Sequence, residues 1–355
     1  MTFKWAIKRL KKTDRLTLVG LLIVVSLAIL VTLVLPKFVF RSSPPLINTQ
    51  EKDQAALYRH PLTGAAMYEP LVELPHVFSV MIDNHEEAWP LSGIDQAFLV
   101  IEVPVEAAIP RLLAFFTEEQ VVEEIGPVRS ARPYFLDWAN ELDALYAHVG
   151  GSNAALDLIA SGGTFDLNQY WWGEYFWRSS YRYAPHNVLT STELLRAFVS
   201  LRTEAGVAPE RLYDLWKFKD PEPAQALSSL HVDFDGTIYL VDWTYDVEQG
   251  LYVRSQAGAP HITSTGEYIT ADNVVVVVTD IEILDNVGRR SVRTIGEWDA
   301  YVFQDGHAIE ATWRKPSATE RLKFYGRASG EEIVMNAGVT WIEVVGSEEN
   351  VVITP

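Results

Sequence analysis

A chain of 355 residues with 48% hydrophobic and 12% aromatic content is long enough for two packed cores, so globular folding is expected and disorder is not. Residues 1–41 hold eight of the 29 Lys and Arg and one of the 47 Asp and Glu, which leaves 21 positive against 46 negative groups afterwards, a formal net of −25. So acidic a body argues against a nucleic-acid partner, and the absence of cysteine excludes disulfides, thiolate metal sites, a cysteine nucleophile and a lipid-modified N-terminal cysteine in this chain.

Lys4, Lys8, Arg9, Lys11, Lys12 and Arg15 precede Leu16–Leu35, "LTLVGLLIVVSLAILVTLVL", 20 uncharged residues that as a helix would span about 30 Å. The expectation is a single transmembrane anchor at 16–35, with residues 1–15 cytoplasmic and everything after Arg41 extracytoplasmic. A cleaved signal peptide is the alternative, but the small residues Ser26 and Ala28 lie inside the apolar run instead of at its polar end. Residues 36–56, with Ser42-Ser-Pro-Pro45, read as a linker.

An α/β domain with a mixed sheet is expected over residues 57–220. Val77–Asp83, Ala97–Val105 and Arg111–Thr117 have the apolar, β-branched character of buried strands. Pro133 suits the first turn of a helix carrying Tyr134, Phe135, Trp138, Leu142 and Leu145. Leu145–Ala160 reads as strand, Gly-Gly turn and helix, with Ser152 as its cap. From His231 the pattern alternates with period two between Asp-Gly and Gln-Gly turn signals, and residues 225–355 are expected to form a smaller, mostly antiparallel β domain.

Three constellations carry candidate chemistry. Asp83-Asn84-His85 sits at the C-terminal end of a predicted strand, where open α/β sheets place ligands, although Asp and Asn also favour simple turns. His148-Val-Gly-Gly-Ser152 pairs a titratable ring with a serine at a helix start; that serine is either a nucleophile or only a cap. Arg178–Asn187, "RSSYRYAPHN", follows the aromatic run Tyr170–Trp177 and offers the rings and polar groups of a carbohydrate site, or of a packing cluster. Between the first two lies "IGPVRSARPYF" (Ile125–Phe135), where Arg129 and Arg132 precede a helix start, a position that favours anions. Histidines are scattered without metal-ligand spacing, so no metal site is expected; Asp83, His148 and His186 are the residues that could converge on an ion.

Together these blocks resemble the YerB-like lipoprotein family of the bacterial envelope. The resemblance rests on "HPLTG" (His60–Gly64), "VMIDNH" (Val80–His85), "PVE" (Pro104–Glu106), "IGPVRSARPYF", "HVGGS", "YFWR" (Tyr175–Arg178), "APHN" (Ala184–Asn187), "NVVVVVT" (Asn273–Thr279) and "GVTWIEVV" (Gly338–Val345). It implies an extracytoplasmic protein with an α/β and a β domain, and supplies no reaction. Two departures stand out: Leu16–Leu35 replaces the lipid-bearing cysteine, and Ala107-Ala-Ile-Pro-Arg111 stands where the family pattern is Gly-Gly-Ile-Thr-Arg.

The resulting expectation is a membrane-anchored envelope protein that binds, and in a stronger form cleaves or modifies, an anionic glycan or cell-wall polymer. Asp83, Glu106 and His148 are the acid/base candidates. Asn84, Arg111, Arg129, Arg132, Ser152, Arg178, His186 and Asn187 are the ligand-binding candidates, arginine being suited by its bidentate fork. No cofactor is assigned. A noncatalytic scaffold that docks an envelope protein is the rival expectation, with the arginines paired to Glu102, Glu106 or Asp137.

Overall fold

Apolar, β-branched runs without helical periodicity make the strands of this protein, and the longest of them assemble into one mixed sheet. The computed structural model describes residues 58–224, 227–234, 236 and 238–354. In chain order the principal elements are β1 (Val77–Ile82), β2 (Leu99–Pro104), β3 (Pro110–Thr117), α1 (Pro133–Asn140), β4 (Leu145–His148), α2 (Asn153–Ala160), β5 (Asp166–Asn168) and α3 (Thr192–Glu204). There follow β6 (Ser229–Asp233), β7 (Leu240–Asp246), β8 (Leu251–Gln256), β9 (Asn273–Val278), β10 (Gly296–Gln304), β11 (His307–Lys315), β12 (Lys323–Gly326), β13 (Thr340–Val345) and β14 (Val351–Thr354).

The ten-stranded sheet runs β12-β11-β10-β9-β13-β2-β3-β1-β4-β5. Its centre is buried on both faces: every residue of β1, β2, β3, β9 and β13 is buried. Alternation sends Phe78, Val80 and Val276 to one face, beneath α3 and the second sheet, and Val77, Met81 and Val275 to the other, beneath α1. Pro133 opens α1 at its first turn, and Ser152 Oγ accepts the Ala155 N–H at 3.3 Å to cap α2, as the sequence predicts.

The boundary expected near residues 220–225 is crossed by this sheet. Leu99–Glu102 of β2 pairs in parallel with Thr340–Glu343 of β13, so the last third of the chain completes the sheet begun by the first. A strand covered on both faces reads as a continuous apolar run whether its neighbour is near or far in sequence, which is why the run alone did not assign the partner. The second sheet, built around β8-β7-β6-β14, is antiparallel, as the period-two pattern predicts.

One element of the expected fold class is corrected. Among the described residues no helix is long and apolar enough to cross a membrane. Leu16–Leu35, on which the expected transmembrane helix was placed, lies outside the described residues. The fold class is thus a mixed α/β sheet with a β-rich C-terminal part.

A buried polar cluster joins the two sheets. Arg254 Nη2 donates to Glu102 Oε2 at 2.8 Å with both side chains at 0% exposure, and the guanidinium lies 5.0 Å from the Trp341 ring. Trp341 Nε1 and Asn84 Nδ2 also donate to Glu102, at 3.2 and 3.1 Å. Glu343 stands in register with Glu102 on the adjacent strand, and burial together with the charge of Glu102 pushes its carboxyl well above the usual range. Arg254, in contact with Glu102, is the cation that faces this carboxyl pair.

Candidate functional site

The C-terminal ends of β1, β2 and β4 open onto a cleft of about 630 Å³. A parallel bridge between Ala131 and Gly151 sets the starts of α1 and α2 side by side, bringing Arg129, Ser130 and Arg132 next to Ser152 and Asn153 on its wall. Asp83 and His85 line it from the end of β1, Glu106 and Ala107 from the turn between β2 and β3, and Arg111 from the start of β3. Val287 and Arg289 approach from the C-terminal half, tied to the rim by Arg290 Nε donating to Val105 O at 2.7 Å.

The turn carrying Glu106 has a feature that its composition conceals. Ala107 and Ala108 adopt φ of 55° and 57°, the left-handed region in which a side chain costs about 1–2 kcal/mol per residue. These are the positions where the resembled family has Gly-Gly. The chain thus keeps the glycine-type turn with alanines in it, and Ala107 borders the cleft.

Four guanidinium groups face two carboxylates in the cleft, and their pairing is uneven. Arg132 grips Glu106 with two bonds of 2.7 Å. Burial opposes ionisation of Glu106, but those bonds outweigh it and hold the carboxyl below its usual range. Arg129 Nε lies 2.8 Å from Asp83 Oδ2, and Arg289 Nε donates to Asp285 at 2.5 Å. Arg111 differs in being 7% exposed and in pairing with no carboxylate among the described residues: its Nη1 donates to Ser130 O at 2.9 Å, and its Nε, like that of Arg129, has no hydrogen-bond partner there. Burial and the nearby positive charge of Arg132 and Arg129 pull its guanidinium down to about 10, with Asp83 opposing. A cation held this way is an unsatisfied charge at the floor of a cleft.

Asp83 is the hub between this cleft and a second one. Its Oδ2 meets His186 Nδ1 at 2.6 Å as well as Arg129, and its Oδ1 accepts the His85 N–H at 3.2 Å, the local turn bond anticipated from its sequence. The His85 and His186 rings stack at 5.0 Å, and Glu87 Oε2 lies 3.3 Å from His186 Nε2. Beyond them a cleft of about 770 Å³ is walled by Trp89, Pro90, Tyr181, Arg182, Tyr183 and Ala184, with Glu87 and His186 at its edge. The segment "RSSYRYAPHN" therefore does furnish aromatic and cationic groups to a cleft.

Several expected site residues lie elsewhere. His148 is fully buried, with Nδ1 2.6 Å from Gly150 O and Nε2 2.5 Å from Asp166 Oδ1; both nitrogens are engaged, and it is not on the cleft wall. It shapes the Gly150-Gly151 turn instead. Asn84 points into the polar cluster between the sheets, accepting from Trp89 Nε1 at 2.7 Å. Arg178 and Asn187 bond each other across a short hairpin at 2.7 Å. Ser152 lines the cleft but acts as the cap of α2. Trp172 and Tyr175 pack on Phe198 with ring centroids 5.2 and 5.1 Å away, whereas Trp171 is 78% exposed. His85 and Arg182, which the sequence marked only as members of Asp83-Asn84-His85 and "RSSYRYAPHN", join the clefts, as do Glu87 and Arg289, which it did not mark at all; the glutamate stands close to Asp83 in the chain, while nothing local points to Arg289.

Comparison with known proteins agrees with this architecture. Residues 62–205 match the model described as protein of unknown function (DUF3048) N-terminal domain, and residues 230–342 match its C-terminal domain. The chain is 31% identical over 310 residues, 84% of its length and 91% of the relative's, to a Bacillus subtilis (strain 168) protein named "Putative lipoprotein YerB". The crystal structure of the YerB protein from Bacillus subtilis superposes with a TM-score of 0.74 at 29% identity, covering 84% of this chain and all of that one. With both domain models matched in order and a relative aligned over most of both chains, the protein belongs to the YerB family, whose two halves are the DUF3048 N- and C-terminal domains.

Proposed function

We propose that the protein is a cell-envelope binding protein whose arginine cleft receives the anionic group of a glycan or cell-wall polymer. The observation that carries this reading is Arg111, a buried guanidinium without a carboxylate of its own among the described residues, at the base of a cleft that also holds Arg129 and Arg132. An entering phosphate or carboxylate would satisfy its free N–H groups through a bidentate contact. The adjoining aromatic cleft adds ring faces of Trp89, Tyr181 and Tyr183, suited to the apolar faces of sugars. The envelope setting follows the lipoprotein name of the relative.

Binding is favoured over cleavage because the acid/base candidates are engaged. Asp83 and Glu106 are held by arginines, and His148 is spent on Gly150 and Asp166. The Arg132–Glu106 pair favours a second reading for that residue alone, a structural clamp under a surface that docks a protein.

The test is calorimetric titration of the full chain with glycerol-phosphate oligomers, muropeptides and uncharged glucose oligomers. Acidic fragments are expected to bind and uncharged ones not, with Arg111→Met losing at least about tenfold in affinity. Absence of binding by any acidic fragment, or full affinity in the variant, would overturn the reading.

A further inference from the structure

His85, Glu87 and His186 each place one ligand-type atom within 4.8 Å of the others, at the junction of the two clefts. We infer that these three residues form a binding site for a divalent transition cation of the zinc type. The inference is independent of the anion reading, since it draws on neither Arg111 nor a glycan.

The chemistry of the donors fits. Two imidazoles and one carboxylate are a common zinc set, and three protein ligands leave a fourth position open to water or another oxygen ligand. Bonds of about 2.0–2.1 Å in a tetrahedral arrangement separate ligand atoms by about 3.3 Å. His186 Nε2 and Glu87 Oε2 already stand at 3.3 Å. Asp83 Oδ2, 2.6 Å from His186 Nδ1, supplies the outer carboxylate that fixes a metal-binding imidazole, holding the proton on Nδ1 and leaving the Nε2 lone pair toward Glu87. Arg129 pairs with that same oxygen and tempers its charge, while Glu87, whose side chain is 71% exposed, brings a further negative charge that is free to close on an ion.

His85 requires one rearrangement. Its Nδ1 accepts the Glu87 N–H at 3.1 Å, so the ring must turn or release that bond to offer a lone pair. The site is thus built chiefly on His186 and Glu87, with His85 closing it. The local spacing His85-Glu86-Glu87 hides it in sequence because the third ligand lies about a hundred residues on, in the "APHN" loop.

The experiment is calorimetric titration of the full chain, first stripped with chelator, with Zn2+, and with Co2+ to record the visible absorption of a histidine-ligated ion. One saturable site per chain is expected. Glu87→Ala, at an exposed position whose loss leaves the fold intact, is expected to weaken it by at least about tenfold, and His85→Ala by less. Absence of a saturable site in the wild-type chain, or a Glu87→Ala variant that binds Zn2+ as the wild type does, would overturn the assignment.

Discussion

Replacing Arg111 by methionine separates a ligand-binding arginine from a structural one, because the two roles predict opposite signs for stability. The guanidinium is held at about 10, against an ordinary value above about 12; at about 1.4 kcal/mol per pH unit its burial in charged form costs the folded protein about 3 kcal/mol. Against that stands one bond to Ser130 O, worth about 1 kcal/mol with its loss of pairing, while the methionine stem keeps the packing of the arginine stem. Arg111→Met is therefore expected to be more stable than the wild type by about 1–2 kcal/mol in equilibrium urea unfolding, with an unchanged dependence on denaturant. Such a gain at the floor of a cleft is the signature of a residue kept for function. A loss of about 2 kcal/mol or more would refute the reasoning and make Arg111 a structural cation.

Three further outcomes follow from the cleft and from the polar cluster between the sheets. Arg132→Ala should cost about 2 kcal/mol at neutral pH, and because Glu106 is held below its unfolded value, that contribution is present above the ordinary carboxylate range and lost as pH falls, so the gap to wild type should close below about pH 4 in acid unfolding curves. Ala107→Gly and Ala108→Gly should each stabilise by about 0.5–1 kcal/mol, relief of left-handed strain less the extra freedom of glycine in the unfolded chain; a fall in melting temperature would contradict the turn geometry. Glu102→Gln should cost about 3–5 kcal/mol by removing the carboxylate that Arg254 contacts, while Glu343→Gln should cost less, since burial and the charge of Glu102 already disfavour the ionised form of that carboxyl; equal losses in denaturant unfolding would contradict the assignment of Glu102 as the partner of Arg254.

The sequence made the local half of this structure legible. Pro133, Ser152 and the apolar runs announced the elements because capping, proline geometry and burial act over a few residues. The pair Arg129 and Arg132 pointed to the cleft for the same reason, since both precede a helix start. What stayed hidden was long-range. That β13 lies beside β2, and that His186 lies against Asp83, depends on chain returns over hundreds of residues or about a hundred, which leave no periodicity. His148 illustrates the converse: a titratable ring beside a glycine turn looked reactive, and in the structure its Nδ1 meets Gly150 O of that turn while its Nε2 meets Asp166 Oδ1.

The most direct test of the anion-binding account is a crystal structure of the chain grown with a glycerol-phosphate oligomer or a muropeptide. The account predicts the anionic group beside the Arg111 guanidinium, between Arg129 and the start of α2 at Ser152. An acidic fragment seated elsewhere on the molecule, with Arg111 making no contact to it, would contradict it.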